Sequence, residues 1–298
     1  MRSRTRAAWL FLLPALVFYA VFLIFPVVSS LYLSFHEWNM LTPPLQASSV
    51  GMQNYTHILR QDPVFLKALW NTLVFVAVSV PLSIALAVLM ATLMSRRRFA
   101  GLWRLIFLLP TITPAIALGM VWRYLYRPNY GLINTLLNAA GIASQPWLND
   151  PATALMSIII TAVWAGIGSN LIIVDAGMRD IPEEYYEAAA IDGAHGWQRF
   201  RHITLPLLKP TLLFVFVTGT IAAWQVFDFI VAMTAPTLGR AGGPVNSTMT
   251  LVVYMYQTAF EYLNMGRASA MAYVLFFIVI AVSLVQLRVF WRGGVENY

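Results

Sequence analysis

The segment Glu183–Pro210, EEYYEAAAIDGAHGWQRFRHITLPLLKP, is a long polar stretch between two strongly apolar runs. It begins with acids, has a glycine at position 193, carries a basic cluster and ends in prolines before the next apolar run. Both halves show helical spacing, which a simple connection between two membrane helices does not need. The pattern predicts two short helices that the rest of the chain holds against a partner in the cytoplasm.

The composition excludes an ordinary soluble domain. Of the 298 residues, 59% are hydrophobic and only 10% are charged, whereas soluble domains carry about 25% charged residues. The charges lie between apolar runs, and a hydrocarbon core of about 30 Å needs a helix of about 20 apolar residues. The sequence therefore predicts an all-α membrane protein with a single transmembrane domain over residues 1–298.

Six apolar runs are candidate transmembrane helices, and they cover residues 7–35, 68–94, 105–122, 152–174, 211–235 and 268–287. The first run is longer than the apolar region of a secretory signal, which has about 7–15 residues, so we expect a retained helix. The third run contains Pro110 and Pro114. Because each proline removes a backbone hydrogen bond, that helix should be kinked or broken.

Two of the loops contain shorter patterns. In residues 123–151, apolar residues recur at helical spacing from Leu132 to Leu137 and predict a short helix at the membrane surface. Gly239–Pro244 predicts a glycine-rich turn, and Thr248–Tyr262 after it predicts a second surface helix.

Lysine and arginine are divided unequally between the two sides that six spans create. With the N-terminus inside, the outside segments hold six of the 19, namely Arg60, Lys67, Arg123, Arg127, Arg240 and Arg267. The other 13 lie inside and include a tight basic loop with Arg96, Arg97, Arg98 and Arg104. The positive-inside rule therefore places both termini and Glu183–Pro210 in the cytoplasm. The same rule explains the net charge of +7 better than nucleic-acid binding does.

Glu183–Pro210 has the features of a helix–turn–helix unit. Pro182 suits the first helical position, where no amide donor is needed. Gly193 suits the left-handed position that ends a helix. Trp197, Phe200 and Ile203 form one apolar face of the second helix. A helix lying on the membrane is one interpretation, but the acidic, alanine-rich first half disfavours anionic lipid. A helix in the groove of a partner protein fits better.

Catalytic, nucleotide and metal sites have no candidate residues. The only lysines are Lys67 and Lys209, and neither lies in the G-x-x-x-x-G-K-[ST] pattern of a phosphate-binding loop. The four histidines show no metal-ligand spacing, and the chain has no cysteine. We expect a chain that is not an enzyme and binds no cofactor. Its energy must come from a separate subunit.

Polar groups at membrane depth are costly and mark functional positions. They form two patches. The patch in the fourth span consists of Trp164, Gly166, Ser169 and Asn170. The patch in the fifth span consists of Trp224, Gln225 and Asp228. At i, i+3 spacing, Gln225 and Asp228 share a helix face. Aromatic faces with amide and carboxylate groups suit a hydroxyl-rich solute. The alternative is packing, since glycine permits close approach and amides hydrogen-bond across helices.

Asp175 and Arg179 are four residues apart at the inner end of the fourth span, where they predict an ion pair at the end of a helix. Such a pair contributes little by itself.

A resemblance to a known family rests chiefly on one motif. Glu187–Ala189, Gly193 and Ile203–Pro206 match the signature E-A-A-x3-G-x9-I-x-L-P without a departure. This signature resembles the cytoplasmic coupling motif of permease subunits in binding-protein-dependent ABC importers.

Other stretches, spread over most of the chain, are similar to the carbohydrate-importing branch of that family. They are Leu13–Leu16 and Tyr32–Phe35 in the first helix, Gly51–Tyr55 in the first loop, and Gly242–Pro244 with Ser247–Thr248 after the fifth span.

The resemblance implies a type I ABC importer permease in a bacterial or archaeal plasma membrane, surrounded by lipid. Its partners would be a second permease subunit in a heterodimer, two copies of an ATPase that holds ATP and Mg, and an extracytoplasmic solute-binding protein. The residues carried over to ATPase coupling are Glu187, Ala188, Ala189, Asp192, Gly193, Ile203, Leu205 and Pro206. Glu187 would pair with a basic group on the ATPase, and Gly193 would permit the bend.

The expected function is translocation of a sugar or sugar-like solute by an ATP-driven importer. An ion-coupled secondary transporter of a small polar solute is the alternative, but only Asp228 and the proline-broken third span favour it. A membrane scaffold without transport is a third interpretation. No arginine lies mid-span to hold a phosphate, which favours neutral sugars among the open candidates.

Overall fold

Helices form nearly all of the regular structure in the computed structural model, which describes residues 2–94 and 100–292. The α-helices are α1 Arg2–Tyr19, α2 Phe25–Ser34, α3 Gln53–Arg60, α4 Pro63–Met94, α5 Ala100–Ile112, α6 Ala115–Leu125, α7 Leu132–Ala139, α8 Ala154–Arg179, α9 Glu183–Ile191, α10 Gly196–Arg199, α11 Leu205–Leu207, α12 Lys209–Trp224, α13 Asp228–Leu238, α14 Leu251–Tyr256 and α15 Met265–Arg292. Three π-helical turns, Ala20–Ile24, Phe200–Thr204 and Gln257–Glu261, continue neighbouring helices. Of the predicted basic loop, Arg96–Arg98 lie outside the described residues, whereas Arg104 lies in α5 and not in a loop.

The chain divides into two compact units, the first from 1–66 and 254–276 and the second from 67–253 and 277–298. The first unit contains two short antiparallel strands, β1 His36–Glu37 and β2 Ser48–Ser49, with His36 opposite Ser49. Three short 3-10 turns, Pro44–Gln46, Trp147–Asn149 and Pro244–Asn246, complete the regular elements.

Four described helices are long and apolar enough to cross a membrane, and they are Phe11–Ser34, Pro63–Met94, Ala154–Arg179 and Met265–Phe290. Two bent pairs raise the number to as many as six. One pair is Gly101–Ile112 with Ala115–Leu125, bent by 99°, and the other is Gly196–Leu207 with Lys209–Trp224, bent by 64°. The chain is thus a multi-pass, mostly helical membrane protein with four to six candidate spans.

The predicted break in the third apolar run is confirmed. The α5 helix ends at Ile112, and Pro114, with extended backbone (φ −54°, ψ 131°), immediately precedes α6. Thr113 closes the last turn by donating its amide to the Pro110 carbonyl at 3.2 Å. Pro114 therefore lies at the break, where its ring disfavours helical backbone for Thr113, whereas Pro110 lies inside the last turn of α5.

The fifth apolar run differs from its prediction as one continuous helix. The α12 helix ends at Trp224, the backbone of Phe227 is non-helical (φ −137°, ψ −56°), and α13 begins at Asp228. The Val226 carbonyl freed by this break accepts a hydrogen bond from the Thr250 hydroxyl at 3.1 Å. Long-range contacts therefore maintain a break that no local glycine or proline announces.

Glycines allow close helix packing in the second unit. A Cβ atom on Gly168 of α8 would lie 2.1 Å from the Phe107 carbonyl oxygen of α5. The Thr111 hydroxyl of α5 donates to the Ala165 carbonyl of α8 at 3.2 Å. A buried apolar cluster joins α4 and α8 to the start of α12, and it consists of Ala87, Val88, Ala91, Met94, Leu171, Val174 and Leu208.

Side-chain hydrogen bonds hold the first unit together. The Asn54 amide donates to the Ser34 and His36 carbonyls at 2.9 and 3.0 Å, which gives the Gly51–Tyr55 motif a structural role. The Tyr254 hydroxyl donates to Asp62 at 2.7 Å. Burial and this contact with Asp62 raise the pKa of Tyr254, so the phenol remains a hydrogen-bond donor.

The shorter predicted elements are present. The α7 helix covers the pattern from Leu132, and α14 with its π turn covers most of Thr248–Tyr262. The glycine-rich turn has positive φ at Gly239, Gly242 and Gly243.

Candidate functional site

A cavity of about 340 Å³ lies in the second unit, among residues of α4, α6, α8, α12 and α13. Its wall is mainly apolar, and we call it the polar cavity after the serine, amide and carboxylate side chains that line it. Five of the seven residues predicted for a solute pathway line it, namely Gly166, Ser169, Asn170, Gln225 and Asp228. Phe75, Phe227 and Phe229 also line it, together with Ser83. The polar patches of the fourth and fifth apolar runs therefore meet at one cavity.

The polar groups of this cavity differ in their hydrogen bonding. The Asn170 amide donates to the Ser83 hydroxyl at 2.7 Å, and the Ser169 hydroxyl donates to the Gly166 carbonyl at 3.1 Å. Gln225 and Asp228 are exposed, and among the described residues their side chains make no hydrogen bond. The carboxylate and the primary amide are thus available to a solute with hydroxyl groups.

The spatial relation between Gln225 and Asp228 differs from the sequence prediction. They do not share one helix face, because Gln225 caps the C-terminus of α12 and Asp228 begins α13. The break itself brings both side chains to the cavity. Asp228 also lies in the first turn of α13, where the helix dipole stabilises a negative charge.

The two predicted tryptophans are not among the lining residues of the polar cavity. Trp224 is only 3% exposed. Trp164 packs edge-to-face on Trp122, with ring centroids 5.3 Å apart. Phe227 and Phe229 supply aromatic rings to the cavity instead. Both rings flank Asp228 in the sequence, and this position is the signal that could have predicted them as lining residues.

The segment Glu183–Pro210, hereafter the coupling segment, forms two short helical pieces with a turn between them. Pro182 is the residue immediately before α9 (φ −57°, ψ 134°) rather than its first helical residue. Gly193 has φ +76°, the left-handed conformation expected of a glycine that ends a helix. The Tyr186 and Thr204 hydroxyls lie 2.9 Å apart and link the two pieces.

Most of the motif residues in the coupling segment are accessible. Glu187, Ala188, Asp192, Gly193 and Leu205 are exposed, whereas Ala189, Ile203 and Pro206 are half-buried. Glu187 makes no ion pair in the part of the chain that the structure describes. Trp197, 64% exposed, stacks on Phe200 with ring centroids 5.5 Å apart. An acid, small residues and an apolar ring are therefore all presented at the surface.

An ion network lies next to the coupling segment. Arg179 contacts Asp175 at 3.0 Å, which confirms the predicted pair. Arg104 of α5 contacts the other Asp175 oxygen at 2.9 Å. The sequence predicted Arg104 only as one of the basic residues on the inner side, without this contact. The three side chains line a cavity of about 970 Å³ that Glu183, Tyr186 and Arg199 of the coupling segment also line. The network therefore connects α5 and α8 beside that segment.

Two relatives of the chain are sugar transport permeases by name. The lactose transport system permease protein LacF of Rhizobium radiobacter is 36% identical over 283 residues, 93% of this chain and 92% of that protein. The trehalose/maltose transport system permease protein MalF of Thermococcus litoralis is 34% identical over 288 residues, 95% and 93% of the two chains.

Solved structures share the fold. A chain in the crystal structure of a bacterial ABC transporter involved in the import of the acidic polysaccharide alginate superposes with a TM-score of 0.83, at 21% identity over 98% of this chain and 97% of that one. In a bacterial alginate ABC transporter in complex with alginate pentasaccharide-bound periplasmic protein, the TM-score is 0.82, at 21% identity over 95% and 93%.

The sequence profile of one family covers residues 83–290, a range that contains most of the polar cavity's lining and the whole coupling segment. That family is described as the binding-protein-dependent transport system inner membrane component. The chain therefore belongs to the family of binding-protein-dependent transport system inner membrane components, and it is a permease subunit of an ABC importer rather than an enzyme.

Proposed function

We propose that this permease carries a neutral sugar or sugar-like solute, delivered by an extracytoplasmic binding protein, through a pathway that includes the polar cavity. The observation that carries the proposal is the meeting of Asn170, Gln225 and Asp228 at one cavity with three phenylalanine rings. Amide and carboxylate groups bind sugar hydroxyls, and the rings pack on apolar sugar faces. The transport names of LacF and MalF agree with this chemistry.

The charges around the polar cavity favour a neutral solute. Among the described residues that line it, Asp228 is the charged one, and lysine and arginine do not occur. A phosphorylated solute would meet a carboxylate and no cation, and two negative charges at close range repel each other. The relatives give no support to the ion-coupled transporter that the sequence left open.

The topology we propose has six spans in a single transmembrane domain over residues 1–298, with both termini and the coupling segment in the cytoplasm. The lysine and arginine distribution supports this orientation. The α5 and α6 helices form a broken third span. We assign the fifth span to α12 with α13, and we leave Gly196–Leu207, which bends against α12, in the cytoplasm with the rest of the coupling segment. Irregular backbone at membrane depth is tolerated where protein or a cavity covers it, and residues 225–227 line the polar cavity.

The partners we propose are a second permease subunit and two copies of a separate ATPase. The exposed motif of the coupling segment supports the ATPase contact, because Glu187 and Ala188 are exposed and Glu187 has no ion-pair partner among the described residues. A Cβ atom added to Gly193 would have no neighbouring atom within 4 Å, so its surroundings leave room for a partner surface. ATP and Mg are bound by the ATPase in this scheme.

Two alanine substitutions test the pathway. Asp228→Ala is expected to reduce uptake of the transported sugar about tenfold or more, since a hydrogen bond to a charged group contributes about 1.5–3 kcal/mol. Gln225→Ala is expected to reduce uptake less, by about two- to tenfold, because its neutral amide contributes only about 0.5–1.5 kcal/mol. Uptake of radiolabelled lactose, trehalose and maltose by cells that express the complete transporter measures the effect. Glu37→Ala removes an exposed acid of the other unit and serves as the control. Unchanged apparent affinity and rate in both variants would remove these side chains from the pathway.

A further inference from the structure

A second cavity of the same unit lies at the opposite end of α8 from the coupling segment. It has a volume of about 360 Å³, and the residues that line it include Arg123, Tyr126, Arg127, Tyr130 and Asn149. We call it the arginine cavity. It shares no lining residue with the polar cavity.

The position of the arginine cavity follows from α8. The Tyr126 hydroxyl donates to the Ser157 carbonyl in the first turn of α8 at 3.1 Å. The helix has 26 residues, which corresponds to a length of about 39 Å at 1.5 Å per residue. The coupling segment follows its other end. In the proposed topology the arginine cavity therefore lies on the outer side of the membrane.

The two arginines of this cavity have no acidic partner. Neither Arg123 nor Arg127 forms a salt bridge to any residue within 2–94 and 100–292, and no acid is among the lining residues. Two guanidinium nitrogens of Arg123, Nε and Nη1, are buried and have no hydrogen-bond partner among the described residues. Asp150, which follows Asn149 in the sequence, is not among the residues that line the cavity, and one of its oxygens accepts the Ala152 amide at 2.8 Å.

Aromatic rings hold the second arginine in place. The Arg127 guanidinium carbon lies 4.7 Å from the ring centroid of Tyr124 and 5.1 Å from that of Tyr130. Cation–π contacts of this kind orient the planar guanidinium but leave its donors free for hydrogen bonds in the ring plane. The arginine cavity is thus built before any ligand arrives.

An anion would complete this arrangement. Burying a cation whose N–H groups are unpaired is costly, and two arginines around one cavity add mutual repulsion. A carboxylate accepts two parallel hydrogen bonds from one guanidinium, the geometry for which arginine is suited. The exposed Asn149 and Tyr130 provide further polar groups at the cavity.

We propose that the arginine cavity is a socket for an aspartate or glutamate side chain of the solute-binding protein. This inference rests on the proposed function and its topology, which place the cavity where such a protein delivers its solute. Apart from Arg123, which lies in the last turn of α6, its lining comes from residues 126–130 after α6 and residues 148–149 before α8. A protein loop reaches such a recess more directly than a lipid headgroup does.

The test measures how tightly the solute-binding protein binds to the complete transporter in lipid nanodiscs. Arg123→Gln and Arg127→Gln are each expected to weaken this binding about tenfold or more, because truncating one member of a buried charge pair at an interface is costly. The salt dependence of binding should also decrease. Arg123→Lys keeps the positive charge but cannot donate two parallel hydrogen bonds to one carboxylate. It is expected to give an intermediate loss of binding affinity. Arg60→Gln removes an exposed charge of α3 and is the control.

Several outcomes would overturn the socket. One is unchanged affinity in Arg123→Gln and Arg127→Gln while the unaltered transporter still shows uptake dependent on its binding protein. Another is a loss that appears only in nanodiscs with phosphatidylglycerol, which would indicate a lipid contact. A third is unchanged affinity for the binding protein with altered transport of acidic sugars, which would indicate a solute site. If the unaltered complex shows no such uptake at all, the proposed function fails instead.

Rescue from the partner side gives the most specific result. The carboxylate that occupies the socket is found by replacing exposed acids of the binding protein with arginine. One of these acid-to-arginine replacements in the binding protein, combined with Arg123→Glu in the permease, is expected to restore binding. Each of the two changes alone is expected to weaken it. Assembly of each variant complex, measured by size-exclusion chromatography, separates weakened docking from failure to fold. A complete set of reversals without rescue, in complexes that assemble, would contradict the proposal.

Discussion

A Glu187→Lys substitution is expected to abolish uptake while the assembled complex remains in the membrane. Glu187 is exposed on α9 and has no ion-pair partner among the described residues, so the change leaves the chain's own packing intact. In the proposed contact, the carboxylate pairs with a basic group of the ATPase. Loss of one member of an interfacial charge pair costs about 2–5 kcal/mol, which corresponds to about 30-fold or more in the equilibrium of the contact. Reversal of the charge adds repulsion.

The experiment compares uptake, ATP hydrolysis and complex assembly in one preparation. Glu184→Lys is the matched control, because Glu184 is an exposed acid of the same helix outside the motif. We expect the control to retain uptake and Glu187→Lys to lose both uptake and its coupling to ATP hydrolysis. Normal uptake by Glu187→Lys would disprove the coupling role of this residue.

Gly193 extends the same test to the backbone. Its φ of +76° is unfavourable for residues with a Cβ atom by about 1–2 kcal/mol, least so for asparagine. No atom lies within 4 Å of the place that a Cβ would take, so any effect comes from the turn and not from a clash within the chain. Gly193→Val should therefore impair uptake much more than Gly193→Asn. Equal uptake by the two variants would mean that the bend is not required.

Asp175→Ala is expected to reduce the stability of the chain and its uptake. Asp175 is 8% exposed, and its carboxylate accepts hydrogen bonds from the guanidinium groups of Arg104 and Arg179. Removing it leaves the Arg104 side chain, 25% exposed, without its partner between α5 and α8. The expected loss is about 1–3 kcal/mol of unfolding free energy. The midpoint of thermal unfolding of the purified complex, with uptake in parallel, measures it.

The two arginines should differ when each is replaced by glutamine. Arg179 is 62% exposed, and surface pairs of this kind contribute only about 0.2–1 kcal/mol. Arg104→Gln should therefore lower the unfolding midpoint more than Arg179→Gln does. If the order is reversed, or if Asp175→Ala is neutral, the ion network does not connect α5 to α8 in the way described.

Local sequence signals predicted much of the fold. Pro110 and Pro114 announced the break between α5 and α6 because proline cannot donate the helical hydrogen bond. The break before Asp228 had no such signal. Its freed carbonyl is satisfied by Thr250, 24 residues further along the chain, a distance that no window of sequence covers.

The candidate site was predicted in its residues more than in its geometry. Polar side chains within a membrane span are energetically costly and are therefore expected at functional positions. This expectation identified five residues that line the polar cavity. It did not exclude Trp164 and Trp224, because tryptophan at a helix face serves packing and binding alike. The contact of Arg104 with Asp175 spans 71 positions and depends on the close approach of α5 and α8 at Gly168, which periodicity does not reveal.

The most direct test of the central claim is uptake into proteoliposomes that contain this chain with its second permease and ATPase subunits. Radiolabelled sugar and the solute-binding protein are supplied outside, and ATP is enclosed. We predict sugar accumulation that requires ATP, the binding protein and both other subunits, and that is unaffected by collapse of ion gradients. Accumulation by this chain alone, driven by a proton or sodium gradient without ATP, would contradict the account.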